Sequence, residues 1–242
     1  MLEVFKNIIS IEELRKRILY SFAMLVVFRI GAHIPVPGID STALSAFFDQ
    51  NAKGILGNLD MFSGGALRNM TIFALGIMPY ISASIIMQLL TAVFPFLERL
   101  SKEGEAGRRK ITQYTRYGTI LLSVVQGFGI AVGLESMALT GNRVVLAGIS
   151  SWAFRFTTVI TLTAGTAFIM WMGEQMSERG IGNGISLIIF AGIVVGIPTA
   201  GIQSIAMFQV DQLTPFALIA VGVIALAVIG VVIYFETAQR KI

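Results

Sequence analysis

The sequence predicts an all-α membrane protein: a polytopic bundle of about six transmembrane helices. Three observations carry that reading. The chain is charge-free from Asn69 to Leu97, longer than the roughly 20 residues a helix needs to cross a bilayer. Its composition is 55% hydrophobic and only 13% charged, against about 25% charged in soluble domains. Mean hydropathy is +0.79. Finally, the charged residues punctuate the chain at intervals near a membrane thickness.

Those intervals define the elements in order. Arg15, Lys16 and Arg17 precede an apolar run from about Ile18 to Ile34, broken only by Arg29. The run resembles a signal peptide but has no small-residue cleavage site and is followed by further spans, so it reads as a retained first helix. The second span is expected from about Met70 to Phe94, with Pro79 as a hinge that a membrane helix tolerates. The third lies between Arg116 and Glu135 and the fourth between Arg155 and Glu174. These are the tightest fits to the lower limit of roughly 17 residues. The fifth runs from about Ile185 toward Ile205, and the sixth sits between Asp211 and Glu236. The segment Pro35–Asn69 reads as a long outer loop, a length usually associated with function. Glu98–Lys110 reads as a solvated loop of mixed charge. In Gly180-Ile-Gly-Asn-Gly184, Asn183 is placed to cap the fifth span.

Function classes can be excluded residue by residue. There is no cysteine, so disulfide and thiolate chemistry are absent. His33 is the only histidine, too few for a histidine metal site or a Ser–His pair; it reads as an ordinary polar residue at the outer interface. No carboxylate or lysine falls within a predicted span, which removes intramembrane protease chemistry. The Gly180–Gly184 glycines do not follow a strand and lack dinucleotide-fingerprint spacing. The net charge of +4 is not arranged with aromatics into a nucleic-acid surface. No catalytic residue, metal site or cofactor is expected, and the protein reads as a non-enzyme. Arg29 is the one ionisable group inside a span, a costly placement; snorkelling or structural pairing is the simpler account. An alternative reading, half of a secondary transporter built of inverted repeats, needs ion ligands beside a broken helix, and no acidic side chain lies near Pro79.

Ile77, Ile81 and Ile85 recur every four residues and so share a helix face. On periodicity alone, that stripe is helix packing or lipid contact. The stretch from Leu59 to Arg68 reads by itself as an interfacial loop or short helix, freed by Gly64 and Gly65.

Longer motifs add a resemblance. Gly76-Ile-Met-Pro-Tyr-Ile-Ser-Ala-Ser-Ile-Ile-Met-Gln-Leu-Leu90 and Met172-Gly-Glu-Gln-Met-Ser-Glu-Arg-Gly-Ile-Gly-Asn-Gly-Ile-Ser186 are similar to two signatures of the SecY family of protein-export channels. Phe28–Gly38 resembles the end of the family's first span, and Lys102–Lys110 and Gln113–Gly118, between the two signatures, resemble its loop after the second span, all in the same order. The resemblance implies a channel in the cytoplasmic (inner) membrane that passes unfolded, signal-bearing polypeptides and releases apolar segments laterally into the lipid bilayer. It implies that Ile77, Ile81 and Ile189 belong to an apolar pore ring, which resists ions without holding a peptide. It also implies that Leu59, Asp60, Met61, Phe62, Ser63, Gly64, Gly65, Ala66, Leu67 and Arg68 form a plug, and that Ile85 and Gln88 line a lateral gate. Implied partners are SecE-like and SecG-like subunits and a SecA-like motor or ribosome. The family has ten spans in two pseudo-symmetric halves. Residues 1–205 are therefore expected to form the first half and 206–242 to begin the second. The missing C-terminal half of the channel is expected to dock against spans two and five, and residues 1–242 alone are not expected to transport protein.

Lysine and arginine placement predicts orientation. Lys6, Arg15–Arg17, Arg99–Arg116, Arg179, Arg240 and Lys241 gather on one side, which should be cytoplasmic and hold both ends of the chain. Single cysteines replacing Lys53, Arg143 or Gln209 should react with an impermeant maleimide from outside, while ones at Lys102 and Arg179 should not. Labelling at position 102 from outside would overturn this arrangement.

Overall fold

The computed structural model describes residues 11–50, 60, 63–139, 144–146, 148–209 and 215–237. Eight helices account for most of them: α1 (Glu12–Gly31), α2 (Ser41–Gln50), α3 (Met78–Val93), α4 (Pro95–Lys102), α5 (Glu105–Leu139), α6 (Ser151–Arg179), α7 (Gly184–Gln209) and α8 (Pro215–Thr237). The only β pairing among the described residues is two isolated antiparallel bridges, Pro35 with Thr71 and Ile39 with Val145. The chain forms two compact units, Met1–Val194 and Val195–Ile242. The second holds the remainder of α7, with Pro198 inside the helix, and α8.

Within the first unit the central framework is the long pair α5 and α6, with α3 against α5 and α1 against α6. Both long helices are apolar and long enough to cross a bilayer. An arginine–glutamate pair ties them at each end. Arg116 Nε lies 2.7 Å from Glu174 Oε1 and Arg155 Nε 2.7 Å from Glu135 Oε2. The second pair is about three-quarters buried, and Arg155 also sits over the Trp152 ring at 5.4 Å, a cation–π contact. Helices α3 and α4 together are apolar enough for a third span, but they meet at a 99° bend where Phe94 is extended and Pro95 starts the next helix. The apolar stretches Gly184–Pro198 and Ile219–Phe235 are shorter.

The structure corrects the expected second span. Its helix begins at Met78, not Met70, and residues 64–77 are turns rather than helix. Pro79 is therefore not a mid-helix hinge. It occupies the first turn of α3, where its missing N–H costs nothing. The backbone explains the late start: Met70 and Gly76 adopt φ of 43° and 54°, left-handed values that no helix can include. Two other loops carry more structure than expected. The outer segment contains α2, capped by Asp40, whose Oδ1 accepts from Thr42 N at 2.9 Å and Ala43 N at 3.3 Å. Hydrogen bonds led by the Thr42 hydroxyl hold that carboxyl below its ordinary pKa. Much of Glu98–Lys110 lies in α4 and the first turns of α5. Asn183 does cap α7, accepting from Ile185 N at 3.0 Å and Ser186 N at 3.2 Å.

Two apolar clusters fix the 64–77 turns in place. In one, Met70, Ala74 and Leu75 pack with Leu44, Leu134, Phe154 and Leu162. In the other, Ala66, Phe73 and Ile77 pack with Phe28, Ile169, Met172 and Ile188. The Phe73 ring stacks on Phe28 at 5.8 Å and on Phe168 at 6.1 Å. Close approach needs missing side chains: a Cβ at Gly31 would enter the Phe73 ring, and one at Gly165 would overlap the Ile72 carbonyl.

This packing makes a simple prediction. Gly165→Ala should lower stability by about 1–3 kcal/mol, as overpacking a rigid contact does. Gly133→Ala, with open space around its Cβ, should be neutral or stabilising by up to about 1 kcal/mol. Thermal unfolding of the detergent-solubilised variants measures the difference.

Candidate functional site

The turns between α2 and α3 border an apolar cavity of about 620 Å³. Ile77 and Ile81 line it from the start of α3, Ile189 from α7, Ser63 and Leu67 from the preceding turns, and Gln126 and Ile130 from α5. The three isoleucines expected to act together thus face one space. Ile77 is buried at 5% exposure, and Ile81 and Ile189 pack beside it as partly buried residues. Ile77 is not on the regular helix face expected for it: it is the N-cap residue of α3.

The described part of the expected plug is Asp60 and Ser63–Arg68; Leu59, Met61 and Phe62 lie outside the described residues. Local sequence explains its shape. The Asp60 carboxylate accepts from Arg68 N at 2.7 Å, and its backbone carbonyl accepts from Gly65 N at 3.0 Å and the Ser63 hydroxyl at 2.9 Å. Ser63 Oγ in turn accepts from Leu67 N at 3.1 Å. Asp60 and Ser63 thereby hold Ser63–Arg68 as a compact turn tied to Asp60, with Gly64 and Gly65 at φ of 67° and 82°. Burial pushes the Asp60 carboxyl pKa up, opposed by the Arg68 amide and charge. Ala66 is fully buried.

Two features of this segment were not legible in the sequence. Arg29, near the C-terminus of α1, donates from a terminal guanidinium nitrogen to the Gly64 carbonyl at 3.2 Å. The intramembrane arginine therefore has a structural partner 35 residues away. Gly64 also lies so close to α7 that a Cβ on it would stand 3.0 Å from the Gly192 Cα. A glycine pair was visible at 64 and 65, but nothing marked Gly192 as its neighbour. His33, the expected interfacial residue, is exposed, with Nδ1 2.7 Å from the Arg29 carbonyl.

Ile85 and Gln88 do not join this cavity. Ile85 is 52% exposed on α3. Gln88 donates weakly to Ser84 Oγ at 3.5 Å and lines a separate groove of about 520 Å³ with Tyr80, Thr91, Arg108 and Thr115. That groove and the isoleucine cavity are both lined from α3 but differ in chemistry, mixed polar and apolar in the first and overwhelmingly apolar in the second. Among the described residues, no group of histidine, cysteine, aspartate or glutamate is arranged to hold a metal ion.

Known proteins resemble this chain at two levels. The family profile described as SecY matches residues 71–242. The protein translocase subunit SecY of Pseudomonas aeruginosa is 54% identical over 233 residues, covering 96% of this chain and 51% of that protein. The subunit of the same name from Escherichia coli K12 is 52% identical over 230 residues, covering 95% of this chain and 51% of that protein. The chain spans about half the length of these curated relatives. Among solved structures, Sec61 in the canine ribosome-channel complex from the endoplasmic reticulum matches with a TM-score of 0.62 at 20% identity, over 94% of this chain and 49% of that one. That likeness is one of fold: an all-α membrane bundle. Together with the long apolar helices, these relatives make the chain part of a multi-pass membrane protein. A profile match over most of the chain, and identity above one-half across nearly all of it, place it in the SecY family.

Proposed function

We propose that this chain supplies one wall of a protein-conducting channel in the cytoplasmic membrane, with its N-terminus cytoplasmic. The observation that supports this reading best is the apolar cavity shared by Ile77, Ile81 and Ile189 and bordered by the 60–68 turn. A branched apolar lining disfavours water and ions yet offers a passing peptide no hydrogen bonds to hold it. A compact turn held by a few polar contacts suits a plug that closes such a constriction from one side. The cargo is an unfolded polypeptide bearing a signal sequence, and no covalent chemistry is performed. Apolar segments leave laterally past Ile85 and Gln88, because a charged residue meets a cost of roughly 2.5–3.5 kcal/mol at a bilayer centre whereas leucine or isoleucine gains. Residues 1–205 form the first half of the channel and 206–242 begin the second. A C-terminal half, SecE-like and SecG-like subunits, and a SecA-like motor or ribosome complete the machine. The inverted-repeat transporter is disfavoured because no acidic side chain lines the cavity among the described residues.

Replacing Ile77, Ile81 and Ile189 together with glycine should raise resting ion conductance of the assembled complex in planar bilayers. Unchanged conductance would return these residues to a packing role. Deleting Leu59–Arg68 should likewise increase leak and relax the signal requirement of transport. A deletion that left both untouched would remove the plug assignment.

A further inference from the structure

We propose that Arg29 is a positioning residue that latches the Ser63–Arg68 turn in its closed seat, its guanidinium holding the Gly64 carbonyl while Gly64 rests against the Gly192 backbone. The inference rests on the reading of that turn as a plug.

Within the turn, Asp60, Ser63, Leu67 and Arg68 are joined by hydrogen bonds that do not involve the rest of the bundle. What holds it to the bundle must be contacts to other elements. Ala66 packs into the second apolar cluster with residues of α1, α6 and α7, and Gly64 meets two of those helices through its backbone. The carbonyl accepts from Arg29 of α1 at 3.2 Å, and the α-carbon lies against Gly192 of α7. A partly buried hydrogen bond from a cation is stronger than a neutral one, and a carbonyl in an apolar setting needs a partner. Arginine suits the role because its planar fork is permanently charged and reaches a carbonyl without deprotonation. Its place in the last turn of α1 leaves it beside that helix's free carbonyls, which favour a cation there. The contact is also reversible, since the guanidinium and the carbonyl can each take water instead when the turn leaves. Gly64 makes the close seat possible. With φ at 67° and Gly192 at contact distance, any side chain would both strain the backbone and hold the turn away.

The absence of native cysteine allows a direct measurement. Ser63→Cys places a near-isosteric thiol at a position that is 6% exposed. In the full-length subunit within its assembled complex, maleimide should label it about tenfold faster when Arg29→Ala is added, the order expected for loss of one charge-assisted hydrogen bond. Arg29→Lys, which keeps charge and one donor, should fall between, and it serves if the alanine variant does not assemble. Arg17→Ala, in the same helix and paired with exposed Glu13 one turn away, should leave the rate unchanged. Bilayer conductance, measured on the same variants and on the triple isoleucine replacement, should rise in the order wild type, Arg29→Lys, Arg29→Ala. Wild-type labelling and conductance in both Arg29 variants, with leak in the isoleucine replacement, would overturn the latch and keep the channel reading. Faster labelling without leak in any variant would support Arg29 as the seat of the turn and overturn the channel reading.

Discussion

The whole arrangement depends on satisfying the backbone of a non-helical stretch inside a membrane bundle. Residues 64–77 contribute peptide groups that cannot all bond within one helix, and hydrocarbon offers no water to replace those bonds. The fold meets this by pairing them with neighbours. Val36 N donates to the Met70 carbonyl at 2.9 Å and Ile72 N to the Ile34 carbonyl at 2.9 Å, so the exit of α1 forms a short ladder with the turns. Thr71 N donates to Ala66, Ala74 N to Thr71 and Gly76 N to Phe73. Each turn is thereby closed locally or against α1.

That solution dictates the surroundings. A backbone so irregular has no side-chain stripe of its own, and it is fixed instead by single residues lodged in neighbouring helices. Phe73 inserts between Phe28 and Phe168, and Gly165 brings the α6 backbone up to the Ile72 carbonyl. The α5–α6 pair, tied by Arg116–Glu174 and Arg155–Glu135, supplies the rigid wall. The Ser63–Arg68 turn, by contrast, carries hydrogen bonds of its own to Asp60 and within itself.

The apolar cavity follows from the same geometry. Because α3 starts at Met78, Ile77 sits at the mouth of a helix and not along its side, and Ile81 lies one turn further in. Helix α7 brings Ile189 to the same space, while Gly192, three residues on, receives Gly64. One face of α7 thus borders both the apolar cavity and the Gly64 backbone.

Much of this was determined by the sequence alone. Charge gaps marked where apolar helices run, because a charged side chain is costly in lipid and seldom falls inside one. Asn183 declared the start of α7, since a capping side chain acts on amides two and three residues away. The motifs around Gly76–Leu90 and Met172–Ser186 carried the family. Three things were decided only by tertiary structure. The apolar run from Asn69 gave no sign that its first residues are turns, because hydropathy records burial and not backbone conformation; the left-handed Met70 is imposed by the ladder with α1. Arg29 was visible as a costly charge, but its partner is a backbone carbonyl, which every residue has and no sequence pattern singles out. Gly192 looked like any helix glycine, and its meaning lies in a contact with Gly64 across 128 positions of chain. Local propensities and solvent partitioning are written residue by residue, whereas the fit of one backbone against another exists only once the chain has folded.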